Sequence, residues 1–140
     1  MTTGAIQFRT LIPADILLRA LLYSRWRQLV AGLVNGELWE ATPEAFMLKE
    51  DERNSGLSVS FDCTTAECRA GFNRTYGVAS LLAQSIFDLA LQVVPDTPTH
   101  ANITGIPYKE DDPDRAEWLA GKLAECATVV EHDKQQRREG

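Results

Sequence analysis

The chain has 140 residues, the size of one domain and long enough to bury a real core. No apolar run reaches the roughly 18 residues of a membrane-spanning helix, and a net charge of −6 argues against a general nucleic-acid binder. Three cysteines, an odd number behind an opening "MTTGAIQFRT" that lacks a signal-peptide pattern, read as reduced thiols in a cytoplasmic protein.

The first twelve residues read as a disordered or edge segment, residues 13–131 as a single domain, and residues 132–140 as a charged tail. From Ile16 to Val34 two patterns compete. Leu18, Leu21, Leu22, Trp26, Leu29, Val30 and Leu33 recur at helical spacing, with Pro13 and Asp15 before them and Gly36 after. Asn35-Gly36 between apolar runs is instead a hairpin signal, and it would make Ile16 to Leu22 a strand. Helix is narrowly preferred. Thr42-Pro43-Glu44 then opens a short helical turn that points Phe46 at the core, followed by the polar loop "KEDERNSG" with turn residues Asn54, Ser55 and Gly56.

"LSVSF" alternates Leu57, Val59 and Phe61 with Ser58 and Ser60, the period of a half-buried strand. One helical turn is expected after Thr64-Thr65. A longer helix is expected from about Tyr76 to Leu91, where Val78, Leu81, Leu82, Ser85, Leu89 and Val93 share a stripe among alanines. "QVVPD" reads as a short strand and "HANITGI" as another, ended by Gly105 and Pro107. Asp112-Pro113-Asp114 caps a final helix that buries Ala116, Leu119, Leu123, Ala127 and Val130. The sum is an α+β domain, a small sheet packed on one side by two or three helices.

No phosphate loop, dinucleotide fingerprint, zinc-protease motif, serine-hydrolase elbow or Cys-x-x-Cys pair occurs. No cofactor is implied. Cys63 and Cys68, four residues apart, do not have structural-zinc spacing, so no metal is expected either. His100 is the one histidine within the patterned region. With Asp96, Thr97, Thr99 and Asn102 around it, it is a candidate general base whose tautomer a carboxylate would fix, with Ser58, Ser60 or Cys63 as nucleophile. The bland alternative is a packed histidine bonded to a backbone carbonyl. The acids of "KEDERN" and "KEDDPD", with Glu37, Glu40 and Glu44, read as solvated surface. A second constellation joins "LSVS" to Arg19 or Arg25 and to an acid such as Glu37 or Glu44. In residue order it is similar to ADP-ribosyl-transferring folds, though their glycine-framed binding loops are missing. "SRWR" sets Arg25 and Arg27 beside Trp26, and with Trp39 and Trp118 offers the residue types that dominate binding hot spots.

The string "PEAF", "GLSVSF", "GVASLLAQSI" and "VVPD…HANITGIP", led by Leu17-Leu18-Arg19, resembles a group of small bacterial proteins with an AF…LSV…HA-x-x-x-G order. The resemblance spans roughly Leu17 to Pro107 and implies a strand, not a helix, over Ile16 to Leu22. It brings no activity or catalytic residue with it; it implies a small accessory protein of the kind found beside defence or mobile-element systems. Two functions are therefore expected. The first is a non-enzymatic accessory protein that docks onto a larger protein partner through Arg25, Trp26, Arg27 and Trp39. The alternative is a small transferase-like enzyme using His100, Ser58, Ser60 and Arg19.

Overall fold

The computed structural model describes residues 8–22, 29–31, 39–72 and 75–132. Six strands form one antiparallel sheet in the order β6-β7-β4-β1-β5-β8, with β1 Ile16–Leu22, β4 Leu57–Ser60, β5 Thr75–Leu82, β6 Gln92–Thr97, β7 His100–Thr104 and β8 Thr128–His132. A separate antiparallel pair joins β2 (Leu29–Ala31) to β3 (Trp39–Ala41). The helices are α1 Thr65–Ala70, α2 Ala83–Asp88 and α3 Pro113–Cys126, with 3-10 turns at Pro43–Phe46 and Glu50–Glu52. The α+β class is as expected.

Strand alternation sorts the core. Leu17 and Leu21 of β1, Leu57 and Val59 of β4, Ala79 and Leu81 of β5, and Ala101 and Ile103 of β7 all belong to one buried cluster. Phe46 from the first 3-10 turn and Leu119, Ala120 and Leu123 from α3 pack against them. Asp112 starts α3 as the sequence suggests, accepting from the Arg115 N–H at 3.2 Å. Ala116, Leu119 and Leu123 are buried as expected, whereas Ala127 ends the helix and Val130 is an exposed residue of β8.

Two helix expectations are corrected. Ile16 to Leu22 is a strand, and so is the first half of the segment expected as the main helix, with only Ala83–Asp88 helical. The cause is burial on both faces. Leu18, Ala20 and Val78 form a second cluster with Cys68 of α1 on the opposite side of the sheet from Leu17, Leu21, Ala79 and Leu81. A strand packed on both faces reads as a continuous apolar run, which helical periodicity imitates. This second cluster also places α1 on the face away from α3, so helices do not lie on one side only. The Asn35-Gly36 hairpin signal lies outside the described residues, as do residues 133–140.

Glu52 is a further correction. The loop "KEDERN" reads as solvated, yet Glu52 is 4% exposed and paired with Arg19, itself 5% exposed, at 3.0 Å.

Candidate active site

Ser58, His100 and Asp96 come from three adjacent strands, β4, β7 and β6. In the antiparallel register Ser60 opposes His100 and Ser58 opposes Asn102, so Ser58 and His100 are diagonal neighbours on the sheet face away from α3. Asp96 arrives by an irregularity. Pro95 opposes Ala101 and Thr97 opposes His100, leaving Asp96 as the extra residue of a bulge. Bulges re-aim side chains in this way. Pro98 and Thr99 make the tight turn that returns the chain along β7, with the Thr99 N–H bonded to Thr97 Oγ1 at 3.1 Å.

The resulting contacts are continuous. His100 Nε2 lies 2.5 Å from Ser58 Oγ, and His100 Nδ1 lies 2.6 Å from Asp96 Oδ1. Asn102 Nδ2 donates to the other carboxylate oxygen, Asp96 Oδ2, at 3.0 Å. Partial burial works against ionisation of Asp96, but the hydrogen bonds from His100 and Asn102 outweigh it and hold the carboxyl below its ordinary value. An ionised carboxylate only accepts, so Nδ1 is the ring nitrogen that donates to Asp96, and the neutral tautomer of this geometry leaves Nε2 to accept from the Ser58 hydroxyl. Among the described residues neither ring nitrogen is bonded to a backbone carbonyl, contrary to the bland alternative for this histidine.

Beside this relay is a cleft of about 290 Å³. It is lined by Leu18, Arg19 and Ala20 of β1, by Ser58, Val59 and Ser60 of β4, by Glu67 and Cys68 of α1, and by Lys49, Gly71, Phe72 and His100. The cleft exists because β1 and β4 part company. They pair at Leu18 and Ser60, but the backbone of Ser58 is met by side chains in place of a strand. Its N–H donates to Glu52 Oε2 at 3.0 Å, and its carbonyl accepts from Arg19 Nη1 at 2.7 Å. Arg19 Nε also donates to the Ala45 carbonyl at 2.5 Å. For Glu52, burial favours the neutral acid, but the Arg19 charge and the hydrogen bonds from Lys49, Arg19 and Ser58 prevail and keep it ionised.

Cys68 lines the cleft, whereas the candidate nucleophile Cys63 is not part of that lining, and neither thiol is suited to chemistry. Burial pushes the Cys63 and Cys68 thiols up, so neither is poised as a thiolate. Both are free, and among the described residues no cluster of three histidine, cysteine or acidic side chains could hold a metal ion. A second groove of about 350 Å³, along β6, presents Arg9 as its charged group, and Arg9 is already paired with Asp15 at 2.9 Å and Asp62 at 2.8 Å.

Of the candidate catalytic residues, His100, Ser58, Ser60 and Arg19 all line the one cleft. Glu44, proposed as a partner acid, is exposed on the first 3-10 turn and not part of that lining, and Glu37 lies outside the described residues. Arg25, Trp26 and Arg27 also lie outside them; Trp39 is in β3, its backbone opposite Ala31. Lys49 and Glu52 were missed, because an acidic loop hides one buried acid among solvated ones. Among the described residues no helix is long and apolar enough to cross a membrane. No known protein family, curated protein or solved structure matches this chain.

Proposed function

We propose that the chain is a small serine hydrolase that cleaves a carbonyl-bearing substrate held in the cleft between β1, β4 and α1. The observation that carries the reading is the unbroken Ser58–His100–Asp96 chain of contacts, whose geometry suits the tautomer in which Nε2 can take the serine proton. Ser58 Oγ attacks the substrate carbonyl carbon while its proton passes to His100 Nε2, and the carbonyl π pair moves onto oxygen. When the tetrahedral species collapses, the leaving group departs with that proton. Water then attacks the acyl-enzyme with His100 as base and releases the acid and free Ser58. Asp96 keeps the ring oriented and stabilises the transient imidazolium.

The ADP-ribosyl-transfer alternative has weaker support, since the Arg19 guanidinium is engaged by Ala45, Ser58 and Glu52. The test of the hydrolase is covalent. A fluorophosphonate probe should attach to Ser58, located by peptide mass spectrometry, and Ser58→Ala and His100→Ala should abolish the attachment. Folded wild-type protein that takes no label at Ser58 would sink the proposal.

One feature favours a docking role instead. Trp118 on α3 is half-exposed, with Arg115 and Lys122 each 5.7 Å from its ring centroid. A stoichiometric partner captured from the native host by wild type but not by Trp118→Ala would support it.

A further inference from the structure

An acyl-transfer site needs a donor where negative charge develops, and that donor is commonly a backbone N–H near the nucleophile. Here the N–H of Ser58 itself is spent on Glu52 Oε2 at 3.0 Å. That donor is therefore unavailable, and the cations of the cleft are the next candidates. Arg19 is buried and holds the Ser58 carbonyl, Glu52 and the Ala45 carbonyl, which ties it to the sheet. Lys49 differs. Its side chain is one-third exposed and it lines the cleft beside Ser58, with its ammonium 5.7 Å from the centroid of Phe72, another lining residue.

A shared atom keeps that ammonium near Ser58. Glu52 Oε2 accepts from the Ser58 N–H and lies 3.8 Å from Lys49 Nζ, while Glu52 Oε1 accepts from the Lys49 backbone N–H at 2.8 Å. One carboxylate thus ties the peptide of the nucleophile and the cation to a common point. The 3.8 Å separation is a loose ion pair compared with the 3.0 Å Arg19–Glu52 contact, so the ammonium can swing to a new negative charge without breaking a tight bond. We infer that Lys49 is the oxyanion-stabilising residue of this cleft, supplying by its side chain what Ser58's own backbone cannot. The inference rests on the serine hydrolase reading above. In each turnover the Lys49 ammonium meets the oxygen that gains the carbonyl electron pair, keeps its own protons, and is released when the tetrahedral species collapses.

The test compares fluorophosphonate labelling rates at Ser58 in wild type, Lys49→Ala and Lys49→Arg, each first shown to melt cooperatively. The expected result is a fall of about 100-fold in Lys49→Ala, partial recovery in Lys49→Arg, and at least partial rescue of Lys49→Ala by added ethylammonium, which fits the vacated space. Labelling of Lys49→Ala within about threefold of wild type overturns the inference, where removal of a working oxyanion donor costs far more. A fall that neither arginine nor ethylammonium relieves also overturns it, because it would mark a structural role. Failure of the underlying reading looks different: wild type itself then takes no label at Ser58, or Ser58→Ala labels equally well.

Discussion

Replacing Glu52 by alanine tests the claim that a buried ion pair stands in for strand pairing at Ser58. The side chain accepts from three donors: Arg19 Nη1 at 3.0 Å, the Ser58 N–H at 3.0 Å and the Lys49 N–H at 2.8 Å. Breaking a buried pair by removing one partner costs about 3–5 kcal/mol, since the remaining charge is left uncompensated. An orphaned buried N–H adds about 1–3 kcal/mol; water can reach the partly buried groups, so a total of about 5 kcal/mol is expected. Against a typical domain stability of about 5–15 kcal/mol, that is a large fraction. With a urea slope of about 2 kcal/mol/M, the unfolding midpoint should fall by roughly 2–3 M. The double variant Arg19→Met/Glu52→Leu should be more stable than Glu52→Ala, because it leaves no unpaired charge. Acid should narrow the gap between wild type and Glu52→Gln. Glu52 is held below the ordinary carboxylate value in the folded state, so its contribution is complete above that value and disappears as pH falls through the folded one. A midpoint shift in Glu52→Ala worth less than about 1 kcal/mol would refute this account, as would a double variant less stable than the single.

Two further outcomes follow from the site and the sheet. Asp96→Asn should slow fluorophosphonate labelling by about 1,000-fold or more with little change in melting temperature, because an amide no longer fixes the proton on Nδ1; a labelling rate near wild type would remove Asp96 from the relay. Gly56→Ala should destabilise by about 2–3 kcal/mol in urea unfolding. Gly56 has φ +116°, and an added Cβ would lie 2.7 Å from the Ile103 carbonyl oxygen of β7; unchanged stability would mean that β4 enters the sheet differently.

How much of this was legible depends on how far apart the deciding residues lie. The strands β4 and β7 and the helix α3 carry their own local signatures: alternation in Leu57–Phe61 and Ala101–Ile103, and the Asp112-Pro113 start. The strands β1 and β5 lie next to each other, paired from Ile16↔Leu82 to Leu22↔Thr75, and have apolar residues on both faces. Nothing in either segment alone says that a second layer, α1, covers the far face. The site shows the same division. Asp96, His100 and the serines could be named from residue type, and a carboxylate near the histidine was suspected. Which serine the imidazole meets depends on the register between β4 and β7, which sets Ser60 directly opposite His100 and brings Ser58, the diagonal neighbour, to Nε2. Register is a property of two segments about 40 residues apart, and a one-residue slip would turn every serine to the other face.

The relay is also poorly explained as structural mortar. The His100 and Asp96 side chains are 34% and 49% exposed, so water could satisfy both if they parted, and an exposed pair of this kind contributes about 0–1 kcal/mol to stability. By contrast, the pair that holds the Ser58 peptide is almost wholly buried. The strong, desolvated interactions therefore fix the backbone of Ser58, and the weak, solvent-accessible ones join the Ser58, His100 and Asp96 side chains. That division suits a site in which the oxygen must stay in place while the proton moves. A stabilising network would be expected to have the reverse arrangement, with the side-chain relay buried and the Ser58 backbone paired in the ordinary ladder.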